Sequence, residues 1–221
     1  MAQDDLMLMG EFFDHVSEDY DVVHMSHVDR GEEFYQALSL PVAATQLPVK
    51  VLDIGCGSGL ELEAFFAKAS NAHIHCIDLS ARLMAKLLSK YADYAVTAHL
   101  GSYLTYEYPR NHYNYVLASS TLHHLLDAEK SKLFLALREA LIPGGRLIVG
   151  DYYLSPAAAA KKLAEYDELV ASGIDLSNGK YHFDVPTSAV HEMELLTEAG
   201  FTPVRTVWES SNYAVIVADK R

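Results

Sequence analysis

Three groups of residues have the type and spacing to do chemistry. The first is Val-Leu-Asp-Ile-Gly-Cys-Gly-Ser-Gly at positions 51–59. Val49, Val51, Leu52 and Ile54 read as a short buried parallel strand. Gly55, Gly57 and Gly59 follow, and Leu60-Glu61-Leu62 opens a helical pattern. A strand running through glycines into a helix aims free backbone N–H groups at an anion or a polar ligand tail, and glycine lets the backbone approach closely. A dinucleotide site wants G-x-G-x-x-G, but the sixth residue from Gly55 is Leu60. Asp53 adds a carboxylate where a ligand amine could sit. The second group is Asp78, 23 positions beyond Gly55, near the offset of roughly 20 residues at which an acid meets a ribose diol. The alternative is a helix N-cap, with Asp78 or Ser80 starting the helix 81–90. The third is His123-His124, in a segment predicted to lie beyond the carboxyl end of a strand, where ligands bind in open α/β sheets. A neutral His123 there could take a proton from a nucleophile; otherwise one histidine shapes the pocket and the other packs behind it.

These elements resemble the class I S-adenosylmethionine (SAM)-dependent methyltransferases, whose first motif is an acidic residue followed by G-x-G-x-G. Phe13-Asp14 and Tyr20-Asp21 match the Phe-Asp-x-x-x-x-x-Tyr-Asp that precedes the first strand in many small-molecule members. Leu122-His123-His124-Leu125 and the Leu-x-Pro-Gly-Gly turn at 141–145 are similar to further family hallmarks. The resemblance implies SAM as cofactor, with S-adenosylhomocysteine (SAH) as product. It implies cofactor contacts from Tyr20, Asp53, Gly55, Gly57, Gly59, Asp78, Leu79, Ser102, Tyr103, Ala118 and Ser119. Ser102 stands where relatives often carry an Asp that accepts from the adenine amino group; a hydroxyl accepts more weakly. Asn114 also replaces a usual Asp. The segment before the first strand is expected to fold over SAM as a lid. No Asn/Asp-Pro-Pro-Tyr/Phe segment follows the fourth strand, as amino-methylating enzymes acting on adenine or glutamine have. No Asp ends that strand, as metal-dependent catechol-type enzymes need. The expected reaction is metal-free, in-line methyl transfer to a small molecule. Two alternatives are a SAM/SAH-binding module without transfer and a SAM-using tRNA-modification enzyme.

Composition bounds these readings. The 221 residues carry 17 basic and 30 acidic side chains, a net charge of −13, which disfavours nucleic acid as a partner because that affinity rests on Lys and Arg. Cys56 and Cys76 sit in apolar stretches and read as reduced structural thiols. No apolar run reaches the ~18 residues of a membrane span, and the acidic N-terminus lacks a basic signal-peptide region. A cytoplasmic monomer or homodimer without membrane contact is expected.

The elements that must position these groups follow in order. Residues 1–48 read as a helical cap, with Phe12, Phe13, Val16, Tyr20 and Val23 at helical spacing and a second helix from Glu32 to Leu40. His15, His24 and His27 read as surface histidines rather than metal ligands. Residues 49–221 read as the SAM-binding domain: a doubly wound, Rossmann-like α/β sheet of seven strands, six parallel and the last antiparallel. A substrate-side insertion occupies about 152–186, where long loops carry specificity. Phe13, Tyr152, Tyr153, Tyr181 and His182, with Phe183, are its candidate pocket residues; Tyr181 and Phe183 could equally anchor the loop.

Overall fold

The structure, a computed structural model, describes residues 6–221; the first five residues of the expected cap lie outside the described ones. Seven strands form one sheet in the order β3-β2-β1-β4-β5-β7-β6. They are β1 (Lys50–Ile54), β2 (His73–Asp78), β3 (Ala95–Leu100), β4 (Tyr113–Ser119), β5 (Leu141–Tyr152), β6 (Val204–Glu209) and β7 (Tyr213–Asp219). β1 to β5 pair in parallel, and β7 runs antiparallel to both β5 and β6. This is the expected seven-stranded Rossmann-like sheet. The order reverses at β1, so the mouth of the site lies at the carboxyl ends of β1 and β4.

The period of two along each strand divides the core between two faces. Leu52, Ile54, Val116, Ala118, Leu147 and Val149 point to one side, under α6 (Asp127–Ala140) and α8 (Ala189–Glu198). Val51, Leu117, Ile148 and Val215 point to the other, under α3 (Gly31–Ala37), α4 (Leu62–Lys68) and α5 (Ala81–Lys90). Phe34 on α3 and Phe134 on α6 are wholly buried, one on each face. Burial of such a side chain contributes roughly 1.5–3 kcal/mol.

The structure redraws two expected elements. The single apolar stripe from Phe12 to Val23 is two helices, α1 (Met9–Val16) and α2 (Tyr20–His27). The Ser17 hydroxyl turns back onto the Asp14 carbonyl at 2.8 Å. The Lys86 ammonium takes the Ser17 and Glu18 carbonyls that a continuing helix would use. The cap is also shorter than expected. Phe34, Tyr35 and Leu38 are core residues against Val51 and Ile148, so only α1 and α2 lie over the mouth of the sheet. In β5 the Pro-Gly-Gly turn survives as a bulge. Residues 142–145 loop out between the pairs Tyr113–Leu141 and Tyr115–Arg146, and Gly144 has φ +78°, a conformation suited to glycine. The insertion forms α7 (Pro156–Ala171), started by the Ser155 cap, and a loop that returns across the mouth. Among the described residues no helix is long and apolar enough to cross a membrane.

Beneath the sheet, the Lys130 ammonium and Glu192 carboxylate meet at 2.7 Å with both side chains almost fully buried. Burial raises the Glu192 pKa, and Lys130 holds it back. Glu192→Ala leaves Lys130 a buried charge without this partner and is expected to lower unfolding stability by about 3–5 kcal/mol. The double variant Lys130→Met, Glu192→Leu is expected to recover most of that loss. Chemical denaturation of the two variants checks both.

Candidate active site

The glycine loop is tied to the ends of β1 and β2. Gly55 N–H donates to the Ile77 carbonyl at 2.8 Å. Asp78 then uses one carboxylate oxygen for the Gly57 N–H at 2.8 Å and the other for the Ser80 N–H at 2.7 Å. The Ser80 hydroxyl caps α5 by accepting from Leu83 N–H at 3.1 Å. The helix cap is therefore Ser80, and Asp78 is a bracket between two loops. Burial raises its pKa and the backbone N–H groups oppose the rise. Each oxygen keeps a further lone pair for a ligand hydroxyl.

The cleft beside this bracket is lined by Tyr20, Gly55, Gly57, Asp78, Leu79, Ser102 and Tyr103 among the expected cofactor residues, together with Phe13, Leu83 and Thr121. At Gly57, φ +46°, a Cβ would point at Leu83 and the Tyr20 ring, 3.7–4.0 Å away, so glycine keeps the floor low. A glycine loop that lets a ligand approach the backbone, a carboxylate and an aromatic cover fit a nucleoside with a polar tail. Four expected cofactor residues lie elsewhere. Asp53 is fully buried behind the loop, facing Glu61. Burial raises the pKa of both carboxyls; the Glu61 charge raises Asp53 further, while the hydrogen bond with Asp53 holds Glu61 back. Gly59 packs on Tyr91, whose hydroxyl donates to the Gly59 carbonyl at 2.7 Å. Ala118 is core, and Ser119 is buried at the end of β4.

The lid is fastened at three points. Asp14 accepts from the Ser80 hydroxyl at 2.7 Å and from Arg82 N–H at 3.0 Å, which places α1 on the N-terminus of α5 and lowers the Asp14 pKa. Lys86 holds the Ser17 and Glu18 carbonyls. Ser58, inside the glycine loop, donates to Asp21 at 2.5 Å. On the far side, Leu8 pairs with Tyr181 as an antiparallel bridge, Met9 N–H meets the Lys180 carbonyl at 2.9 Å and His182 N–H the Met7 carbonyl at 3.0 Å. Lid and insertion are therefore joined edge to edge.

Between them lies a second room of about 680 Å³, lined by Phe12, Phe13, Tyr20, His24, His123, His124, Tyr152, His182 and Asp184. His123 and His124 stand on a short 3-10 turn after β4. Asp151, at the end of β5, organises that turn. One of its oxygens accepts from Leu122 and His123 N–H at 2.8 and 3.2 Å; the other accepts from His123 Nδ1–H at 2.6 Å and Tyr152 N–H at 2.7 Å. This fixes the tautomer and leaves the His123 Nε2 lone pair free, 3.8 Å from Asp184. Burial opposes charge on His123, but Asp151 and Asp184 outweigh it and raise its pKa; the Asp151 pKa falls correspondingly. Burial lowers His182 and His24 to about 4.

Of the expected pocket residues, Phe13, His123, Tyr152 and His182 line this room; Tyr153 and Tyr181 do not. Tyr153 follows the strand alternation into the core, and Tyr181 packs against the cluster around Phe183 while pairing with Leu8. His24, expected at the surface, stacks on Tyr20 at 5.1 Å and faces the room, whereas His15 and His27 stand at its exposed rim. Asp151 and Asp184 were not expected in the site. A carboxylate at the end of β5, level with the paired histidines across one strand, was a signal for Asp151; Asp184 arrives only through the fold of the insertion.

Comparison with known proteins bears on what this arrangement is. Residues 51–145 match the family described as a methyltransferase domain. Residues 51–145 are a methyltransferase domain, set in the class I fold. Phosphoethanolamine N-methyltransferase 1 of Arabidopsis thaliana is 30% identical over 157 residues, which is 70% of this chain and 29% of that protein. This chain therefore spans less than a third of that relative. Carboxy-S-adenosyl-L-methionine synthase of Wolinella succinogenes is 27% identical over 207 residues, 84% of this chain and 85% of the other. The solved Haemonchus contortus phosphoethanolamine N-methyltransferase 2, in complex with phosphomonomethylethanolamine and SAH, shares the methyltransferase fold with a TM-score of 0.68 at 17% identity, covering 94% of this chain and 58% of that one.

Two predictions follow from this geometry. Asp78→Ala removes the acceptor of both the Gly57 and Ser80 N–H groups, so the ligand-free protein is expected to lose about 2–3 kcal/mol of stability. SAH affinity is expected to fall at least about tenfold, since hydrogen bonds to a charged acceptor carry on the order of 1.5–3 kcal/mol. Thermal denaturation and calorimetry measure the two effects. Deleting residues 1–27 keeps every strand and α3, so the methyltransferase is expected to remain folded and to bind SAH more weakly. In the full chain, amide exchange across residues 9–27 is expected to slow on SAH binding and, in Lys86→Ala, to quicken.

Proposed function

We propose that this methyltransferase moves a methyl group from SAM to a small uncharged or cationic acceptor held in the histidine-lined room. The observation that carries the reading is a shared wall: Phe13, Tyr20, Ser120 and His124 line both the cofactor cleft and the room. A group bound in one is therefore separated from the other only by side chains that touch both. When bound, SAM supplies a methyl on a positively charged sulfur. The protein's part is to align, to exclude water and to handle a proton. Asp78 and the Gly57 backbone hold the nucleoside side. Phe13 and Tyr20, carried by the lid, cover it. His123, oriented by Asp151, presents its Nε2 lone pair to the acceptor's reacting group.

The charge of the room supports the acceptor class. Among the described residues lining it there are six histidines and the carboxylates of Glu18, Asp19 and Asp184, with no Lys or Arg. A phosphate-bearing acceptor would meet like charge and find none of the fixed cations that bind phosphate.

The test is release of SAH from SAM with panels of small amines, alcohols and phosphomonoesters. Turnover is expected with an amine or neutral compound and none with phosphoethanolamine. Tight SAH binding without release for any acceptor would favour a binding module, and salt-dependent RNA retention would favour tRNA modification. SAM and SAH are expected to bind and NAD not to, by calorimetry. His123→Ala is expected to lower turnover about 100-fold while SAH affinity is unchanged.

A further inference from the structure

The room contains an arrangement that methyl transfer by itself does not require. His123, His124 and Asp184 each place a ligand atom within 4.8 Å of the others. Asp184 Oδ1 lies 3.2 Å from His124 Nδ1 and 3.8 Å from His123 Nε2, yet it is buried and makes no well-aligned hydrogen bond with either. An oxygen that stands at ion-pair distance from two imidazole nitrogens but lines up well with neither is placed as a ligand atom is placed around an ion. With bonds of ~2.0–2.1 Å in a tetrahedral site, neighbouring ligand atoms stand ~3.3 Å apart, close to the two Asp184–histidine separations, with the two imidazole nitrogens within 4.8 Å of each other. We propose that His123, His124 and Asp184 form a binding site for one divalent transition-metal ion of the zinc type.

Three further features support this assignment. The outer nitrogen of His123 is held by Asp151 at 2.6 Å, the carboxylate–histidine pairing that orients metal-ligating imidazoles. The ligands are stiffly mounted: Asp151 holds the backbone of the histidine turn, and Val185 N–H meets the His123 carbonyl at 2.8 Å beside Asp184. Charge is also in deficit, since Asp151 and Asp184 face this cluster while the buried Lys130 is taken by Glu192. His124 Nδ1 also makes a long 3.4 Å contact to the Phe183 carbonyl, which an ion would replace. Two imidazoles and one carboxylate suit zinc, iron(II) or cobalt(II) and not magnesium or calcium. All three residues line the room, so the remaining coordination positions open onto it. With the ion bound, the His123 Nε2 lone pair is taken, and an acceptor oxygen or nitrogen would meet the ion in its place; that role rests on the methyl-transfer reading, whereas ion binding itself does not.

The test uses the full chain after chelator treatment, titrated with zinc chloride by calorimetry and with cobalt(II) chloride by visible absorption, and SAH affinity is measured on every variant as the check of folding. One ion per chain is expected, with a cobalt spectrum of a low-coordinate site bearing nitrogen ligands. Asp184→Asn and His124→Gln are expected to abolish it, and Asp151→Asn to weaken it about 10–100-fold. His15→Gln at the rim is expected to leave it unchanged. No uptake, or uptake indifferent to Asp184→Asn and His124→Gln while SAH still binds, would overturn the site and show a His124–Asp184 ion pair only. Loss of SAH binding by the unmodified chain would instead count against the cofactor reading.

Discussion

The half-buried carboxylate of Asp78 is the constraint on which the site depends. Its surroundings disfavour charge and raise its pKa, and the two backbone N–H groups it accepts oppose that rise. Those N–H groups belong to the glycine loop and to the turn that starts α5. Ser80, the second of these partners, then caps α5 and reaches Asp14 on the lid. One side chain thus fixes where the loop, the helix and, through one intermediary, the lid stand relative to each other. Without such a bracket the three glycines, all at positive φ, would sample many conformations and present no defined cradle.

Asp151 does for the acceptor side what Asp78 does for the cofactor side. It too is a carboxylate at the end of a strand, here fully buried, and it too accepts from backbone N–H groups of a turn that carries functional side chains. The difference lies in the fourth bond, to His123. That bond makes the orientation of an imidazole part of the folding of the turn. Positions of this kind are stiff, and stiffness is what alignment of a methyl group demands.

The fold was legible because its signals are local. Strand alternation, the glycine loop and the cap at Ser80 are written within short windows, and the seven expected strands formed one sheet. The glycine loop with Asp78 is a local signal as well, because β1 and β2 pair in a fixed register. What escaped reading depends on contacts between distant segments. Nothing near Val16 announces that Lys86 will take its neighbours' carbonyls and split one helix into two. Asp184 meets His124 only after α7 has carried the chain out and back. Asp53 shows a different failure: its spacing was right, but β1 sits deep in the sheet, and the side chain points behind the loop at Glu61 rather than into the cleft. Tyr153 failed in the same way, by strand alternation.

The shared wall has a consequence for how the two ligands interact. Phe13 and Tyr20 touch both the cofactor cleft and the room, and they ride on a lid held by a few polar contacts to α5 and the glycine loop. A ligand in the cofactor cleft adds contacts to Tyr20 only when the lid is down, so it favours the closed state over the open one. That same closed state completes the room, because Phe12, Phe13, Tyr20 and His24 are among its walls. The free energy of closure is therefore spent once and serves both sites, which makes the coupling between cofactor and acceptor positive and, by linkage, equal in both directions. The bridge from Leu8 to Tyr181 extends the coupling to the insertion, since the strand segment that carries α1 down also holds the loop bearing His182 and Asp184. The side chains that wall the room are thereby held by the same contacts that hold the cover of the cofactor cleft.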